Sequence, residues 1–135
     1  MNRKEFESLR ISRLWRAETT SPIICDVYKD VKEVQFVAEI TFNSGVIEKP
    51  SIEIWKRTLN PTDRLYLHHE CTNRDCTSYG FDLTSALRDA LSSRICVEGE
   101  MRCTGKEDWK YPTSAGCTCM TTLRYKIEPI FQERP

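Results

Sequence analysis

Six of the seven cysteines in this 135-residue chain lie in its second half, and they come in pairs. Cys71 and Cys76 form a C-x4-C, Cys96 and Cys103 a C-x6-C, and Cys117 and Cys119 a C-x-C, while Cys25 stands apart. Structural zinc takes four ligands in a tetrahedron, and thiolate sulfur is its favoured protein donor there. The segment Thr72-Asn73-Arg74-Asp75 between Cys71 and Cys76 is polar and turn-prone, as a ligand loop needs, and Arg74 can offset thiolate charge. An iron–sulfur cluster would also accept four cysteines, but the dense ferredoxin spacings are absent, so zinc leads. No thioredoxin-type C-x-x-C occurs. The C-x-C is not placed at a helix start that would lower a thiol pKa.

The two histidines adjoin the first pair, in His68-His69-Glu70-Cys71. His68-x-Glu70 matches half of the zinc deaminase signature, but its second half, P-C-x-x-C, is missing. No H-E-x-x-H is present, and neither is a Walker A, G-x-G-x-x-G or G-x-S-x-G pattern. His69 is an alternative ligand or a hydrogen-bonded core histidine, and His68 is expected to face solvent.

Which cysteines can converge depends on the strands that carry them. Leu65, Leu67, His69 and Cys71 share one parity of a predicted strand, so Cys71 points with the leucines. Near the C-terminus, Ile95, Val97, Met101 and Cys103 alternate with Cys96, Glu98, Glu100 and Arg102. In a second strand Cys119, Thr121, Leu123, Tyr125 and Ile127 alternate with Met120, Thr122, Arg124, Lys126 and Glu128. As an antiparallel hairpin, these strands can set Cys103 opposite Cys119, with Cβ atoms roughly 4.5–5.5 Å apart. That register places Glu98 opposite Arg124, whereas pairing Cys103 with Cys117 loses the charge match. The predicted metal site is therefore Cys71, Cys76, Cys103 and Cys119, with Cys117 as first substitute. Cys96 has the polar parity, and Cys25 reads as a small buried hydrophobe.

The remaining elements must frame that site. Residues 1–20 read as an N-terminal helix or arm in which Arg10, Arg13 and Arg16 recur as a solvated side. Pro22–Tyr28 is rich in strand formers, with a turn at Lys29-Asp30. The clearest strand alternates Val34, Phe36, Ala38, Ile40 and Phe42 with Glu33, Gln35, Glu39 and Thr41. Asn43-Ser44-Gly45 marks a turn, Ile52, Ile54, Trp55 and Leu59 a further strand, and Asn60-Pro61-Thr62-Asp63 another turn. One helix near 82–93 follows, with Asp82 as cap and Leu83, Ala86, Leu87, Ala90 and Leu91 as its apolar stripe. The loop between Cys103 and Cys117 is polar and carries Trp109 and Tyr111.

These elements predict one α+β domain over 1–135. An antiparallel sheet of about five or six strands packs against the 82–93 helix, closed by a C-terminal β-hairpin and tied by structural zinc. An all-cysteine ligand set leaves no open coordination position, which favours architecture over catalysis. Twenty basic residues balance twenty acidic ones, so no strong electrostatic pull on nucleic acid is encoded. No stretch is apolar enough to cross a membrane, and no apolar run follows the first residues as in a signal peptide. A cytoplasmic setting with reduced thiols is expected. The expected function is a non-enzymatic interaction module binding a protein partner, through Trp15, Trp55 or Trp109 as anchors. A nucleic-acid-binding accessory protein using Arg10, Arg13 and Arg16 or the Lys106–Lys110 loop is the alternative. A thiol- or metal-dependent enzyme comes third.

Overall fold

The computed structural model describes residues 3–42, 51–71, 80–103 and 121–132. Three helices and six strands make an α+β fold: α1 (Arg3–Thr20), α2 (Ile24–Val27), β1 (Val31–Phe42), β2 (Ser51–Leu59), β3 (His68–His69), β4 (Phe81–Asp82), α3 (Thr84–Ser93), β5 (Val97–Arg102) and β6 (Thr122–Phe131). Four strands form one antiparallel sheet in the order β2-β1-β6-β5, and β3 pairs with β4 in a small second ladder. The two longest strands, β1 and β6, therefore lie side by side at its centre.

The alternation in β1 sets the layers. Val34, Phe36, Ala38 and Ile40 are buried, together with Leu123 and Ile127 of β6. Leu87, Ala90 and Leu91 of α3, with Leu83 just before it, fill the space above that face, and α3 packs on β5 and β6. Truncating such buried leucines to alanine typically costs about 2–5 kcal/mol, so the stripe holds α3 to the sheet. The opposite face is charged and exposed. Register sets Glu39 of β1 beside Arg124 and that beside Glu100 of β5, with Lys126 beside Glu98 in the next row.

Both ends of α3 are built from side chains as well as backbone. Asp82 Oδ1 accepts from the Thr84 N–H at 3.0 Å, so Asp82 serves the first turn although it sits one residue before the cap position. At the other end Arg94 adopts the left-handed conformation (φ 62°), usually a glycine position. Its side chain gives the reason for arginine. The guanidinium donates to Asp30 at 2.7 Å and lies 3.8 Å from the Phe131 ring centroid, joining α3 to the start of β1 and the end of β6.

Two predicted strands are something else. Pro22–Tyr28, read as a strand from its composition, contains the short helix α2, whose first residue Ile24 is buried. The Ile24 and Cys25 N–H groups donate to Asp63 and Pro61 carbonyls, so the neighbouring turn satisfies donors that a sheet would have used. The 65–71 segment is paired as a ladder only at His68 and His69. Its other bonds are split: Leu65 donates to Pro22, Leu67 to the Thr84 hydroxyl, and the Leu67 carbonyl accepts from Leu83. Leu65 and Leu67 nonetheless both point inward and are fully buried, as their shared parity predicts.

The β5–β6 register also differs from the predicted one, and this moves the partner of Cys103. The β5–β6 register pairs Met101 with Leu123, Val97 with Ile127, Glu98 with Lys126 and Glu100 with Arg124. Cys103 is accordingly bonded to Thr121, whose carbonyl accepts its N–H at 2.9 Å, and is not opposite Cys119. The observed register matches two charge pairs and two apolar pairs, where the predicted one matched a single charge pair and set Met101 against threonine.

Candidate functional site

Cys103 follows the last residue of β5 and is 4% exposed, inside the core cluster. Cys71 follows β3 by two residues, is half-buried, and packs against that same cluster. Cys76, Cys117 and Cys119 lie outside the described residues, as do Trp109 and the Lys106–Lys110 loop. Among the described residues no three His, Cys, Asp or Glu side chains group in a way that could hold a metal ion. Cys96 is exposed, as its polar parity predicts, whereas Cys25 is only half-buried rather than a core residue.

Each histidine ring rests on an aromatic neighbour. The His69 ring packs on Trp55, 4.4 Å between centroids, and Trp55 in turn meets Phe36 edge-on at 4.7 Å. His69 Nδ1 lies 2.6 Å from the Glu70 carbonyl; as a donor to it, the ring keeps its lone pair on Nε2. His68, expected in solvent, is half-buried and stacks parallel to Tyr66 at 6.1 Å. Gly80 makes that stacking possible. A Cβ there would meet the His69 carbonyl and approach the His68 ring, so only a bare backbone lets β4 return beside β3.

Helix α1 runs along this 64–70 segment. Near one end Arg64 donates to the Ser21 carbonyl at 2.7 Å, and further along Arg10 reaches the Glu70 carboxylate at 3.8 Å. Phe6 is buried and Leu14 half-buried on the inward side. Arg10 is therefore drawn against the body of the protein and does not extend a solvated stripe with Arg13 and Arg16. On the outward side Ile11 and Trp15, one turn apart, are 61% and 66% exposed.

Tyr66 sits where these elements meet. Burial raises its phenol pKa above the ordinary value of about 10, and the carboxylates of Asp82 and Glu18 push in the same direction. Above that ordinary value the unfolded chain releases the proton while the folded chain keeps it. Stability therefore declines as pH rises past about 10 and levels off once the folded phenol ionises. Tyr66→Phe should make this decline shallower in denaturant titrations run from neutral to strongly alkaline pH; an unchanged slope would show that Tyr66 does not carry it.

Sequence reasoning missed the outward turn of Ile52 and Ile54. Both sit on the exposed face of β2, at 57% and 58% exposure, while Trp55 and Leu59 take the inner side. The signal was present in the shared parity of Trp55 and Leu59. Comparison with protein-family models, curated proteins and solved structures found no match to the chain. No helix among the described residues is long and apolar enough to cross a membrane.

Proposed function

We propose that the protein is a small zinc-stabilised interaction module that binds a protein partner and has no catalytic role. The observation that carries the partner reading is the exposed pair Ile11 and Trp15 on α1. Grooves that accept a helix read anchors at such a spacing, and tryptophan is enriched among the residues that dominate binding energy. A nucleic-acid reading loses support because Arg10 leans on Glu70 and the chain carries no net charge.

Zinc is assigned to Cys71, Cys76, Cys103 and Cys119, with Cys117 or His69 as substitutes. Cys71 and Cys103 pack on one core, and the backbone partner of Cys103 is Thr121, two residues beyond Cys119 in sequence. Cys71, in turn, stands at the start of a segment whose far end returns at Gly80 and Phe81 beside His69. Zinc at that point would fasten this segment to the β5–β6 pair.

Trp15→Ala tests the partner reading because the side chain is largely exposed and the fold should persist. A protein that is retained by the natural chain and released by the variant, with binding insensitive to nuclease and to moderate salt, supports the proposal. Equal retention by both removes α1 as the docking element. Nucleic acid that dissociates steeply as salt rises would instead establish the alternative function.

A further inference from the structure

The two edges of the four-stranded sheet differ in kind. β5 is short, contains Gly99, and carries Glu98, Glu100 and Arg102 on its exposed face, all features that discourage further pairing. β2 is nine residues long, has neither glycine nor proline, and pairs with β1 through an unbroken register from Ser51 to Leu59. Ile52 and Ile54 stand exposed on it, and no strand among the described residues covers its outer edge. Half the backbone donors and acceptors of such a strand point away from the sheet, toward the position a further strand would take.

The sequence of β2 complements itself. We infer that β2 pairs antiparallel with β2 of a second copy about a two-fold axis at Trp55, joining two four-stranded sheets into one. In that register Glu53 lies opposite Arg57 of the other copy, and symmetry makes this ion pair twice. Ile54 then lies beside the Lys56 stem, Ile52 beside Thr58, and the two Trp55 rings are neighbours across the axis. Moving the axis to Ile54 sets Glu53 against Trp55, and moving it to Lys56 brings two lysines together. Charge therefore selects one register of the three. Glu53, Lys56, Arg57 and Thr58 are all exposed in the single chain, so the pairing displaces no buried side chain. This contact is independent of zinc and of any partner at Trp15.

A charge-swap cycle on the full chain tests the register. Sedimentation equilibrium over a concentration series should give a species of twice the 15.8 kDa chain mass. Glu53→Arg and Arg57→Glu each place two like-charged pairs across the axis and should weaken the dimer by roughly tenfold or more. The double variant carrying both changes restores both pairs and should return within a few-fold of the natural chain. Circular dichroism and melting at monomeric concentrations confirm that the variants fold. A natural chain that stays monomeric at every soluble concentration overturns the inference. So does a dimer indifferent to the single reversals, or growth past the dimer, which would indicate head-to-tail pairing of β2 with β5.

Discussion

Gly80→Ala should destabilise the folded chain by about 3 kcal/mol or more, lowering the melting temperature by on the order of 10 °C. Two independent costs act at this residue. Its φ of +102° belongs to a region that residues with a Cβ rarely adopt. The added Cβ would also collide with the His69 carbonyl and stand 2.9 Å from the Glu70 Cα, both backbone atoms that no rotamer change can clear. Relief would require β3 and β4 to separate, and with them the His68–Tyr66 stack and the return of the chain to α3. Gly99 supplies the comparison. A Cβ there meets the tip of the Tyr125 ring, a side chain that can swing, and φ there is not positive. Gly99→Ala should therefore cost less than Gly80→Ala. Chemical denaturation of the two variants in parallel checks the ranking, and equal midpoints would refute the backbone account.

The contrast between these glycines illustrates how far the sequence could be read. Nothing local marks Gly80 as special, because its constraint comes from His69, eleven positions earlier in the chain. By contrast β1, the stripe of α3 and the antiparallel β5–β6 pair were legible, since burial on one face imposes a period that residues display directly. The misreadings have a common origin. Ile23, Ile24 and Val27 are strand formers, yet the carbonyls of Pro61 and Asp63 offer their segment a better set of partners as a single helical turn. The β5–β6 register slipped by two residues because one charge pair is weak guidance, worth roughly 0.2–1 kcal/mol. The complete set of four facing pairs decides it. The side-chain role of Arg94 is hidden for the same reason, as its partners, Asp30 just before β1 and Phe131 at the end of β6, are distant in sequence.

For the candidate site, the legible part was the inward direction of Cys71 and Cys103, which follows from parity alone. Whether residues so far apart in sequence converge is a long-range matter that periodicity does not encode. The register correction changes the geometry of the zinc proposal without removing its basis. Cys103 no longer needs to face Cys119 across a ladder. What the observed register supplies is the Cys103 N–H bonded to the carbonyl of Thr121, two residues beyond Cys119 in sequence.

Chelation is the second large effect to expect, and it separates the zinc proposal from a core that merely contains thiols. Structural zinc binds with apparent free energies of about 10–16 kcal/mol in small cysteine sites, and that energy is folding energy, because the unfolded chain has no preformed site. A metal-free chain should therefore melt far below the purified one and regain its stability on adding zinc. Cys103→Ser should abolish stoichiometric zinc, measured as metal per chain, and reproduce the chelated melting curve even without chelator. The core alone predicts a smaller loss for that substitution, about 0.5–3 kcal/mol for exchanging a buried thiol for a hydroxyl, and no response to chelation in the natural chain. Cys96→Ser provides the reference, since Cys96 is exposed and its replacement should stay within about 0.5 kcal/mol. Should the natural chain carry no zinc and melt identically with and without chelator, the cysteines are core and surface residues. The sheet, α3 and the β3–β4 ladder beside Gly80 would then hold the fold unaided.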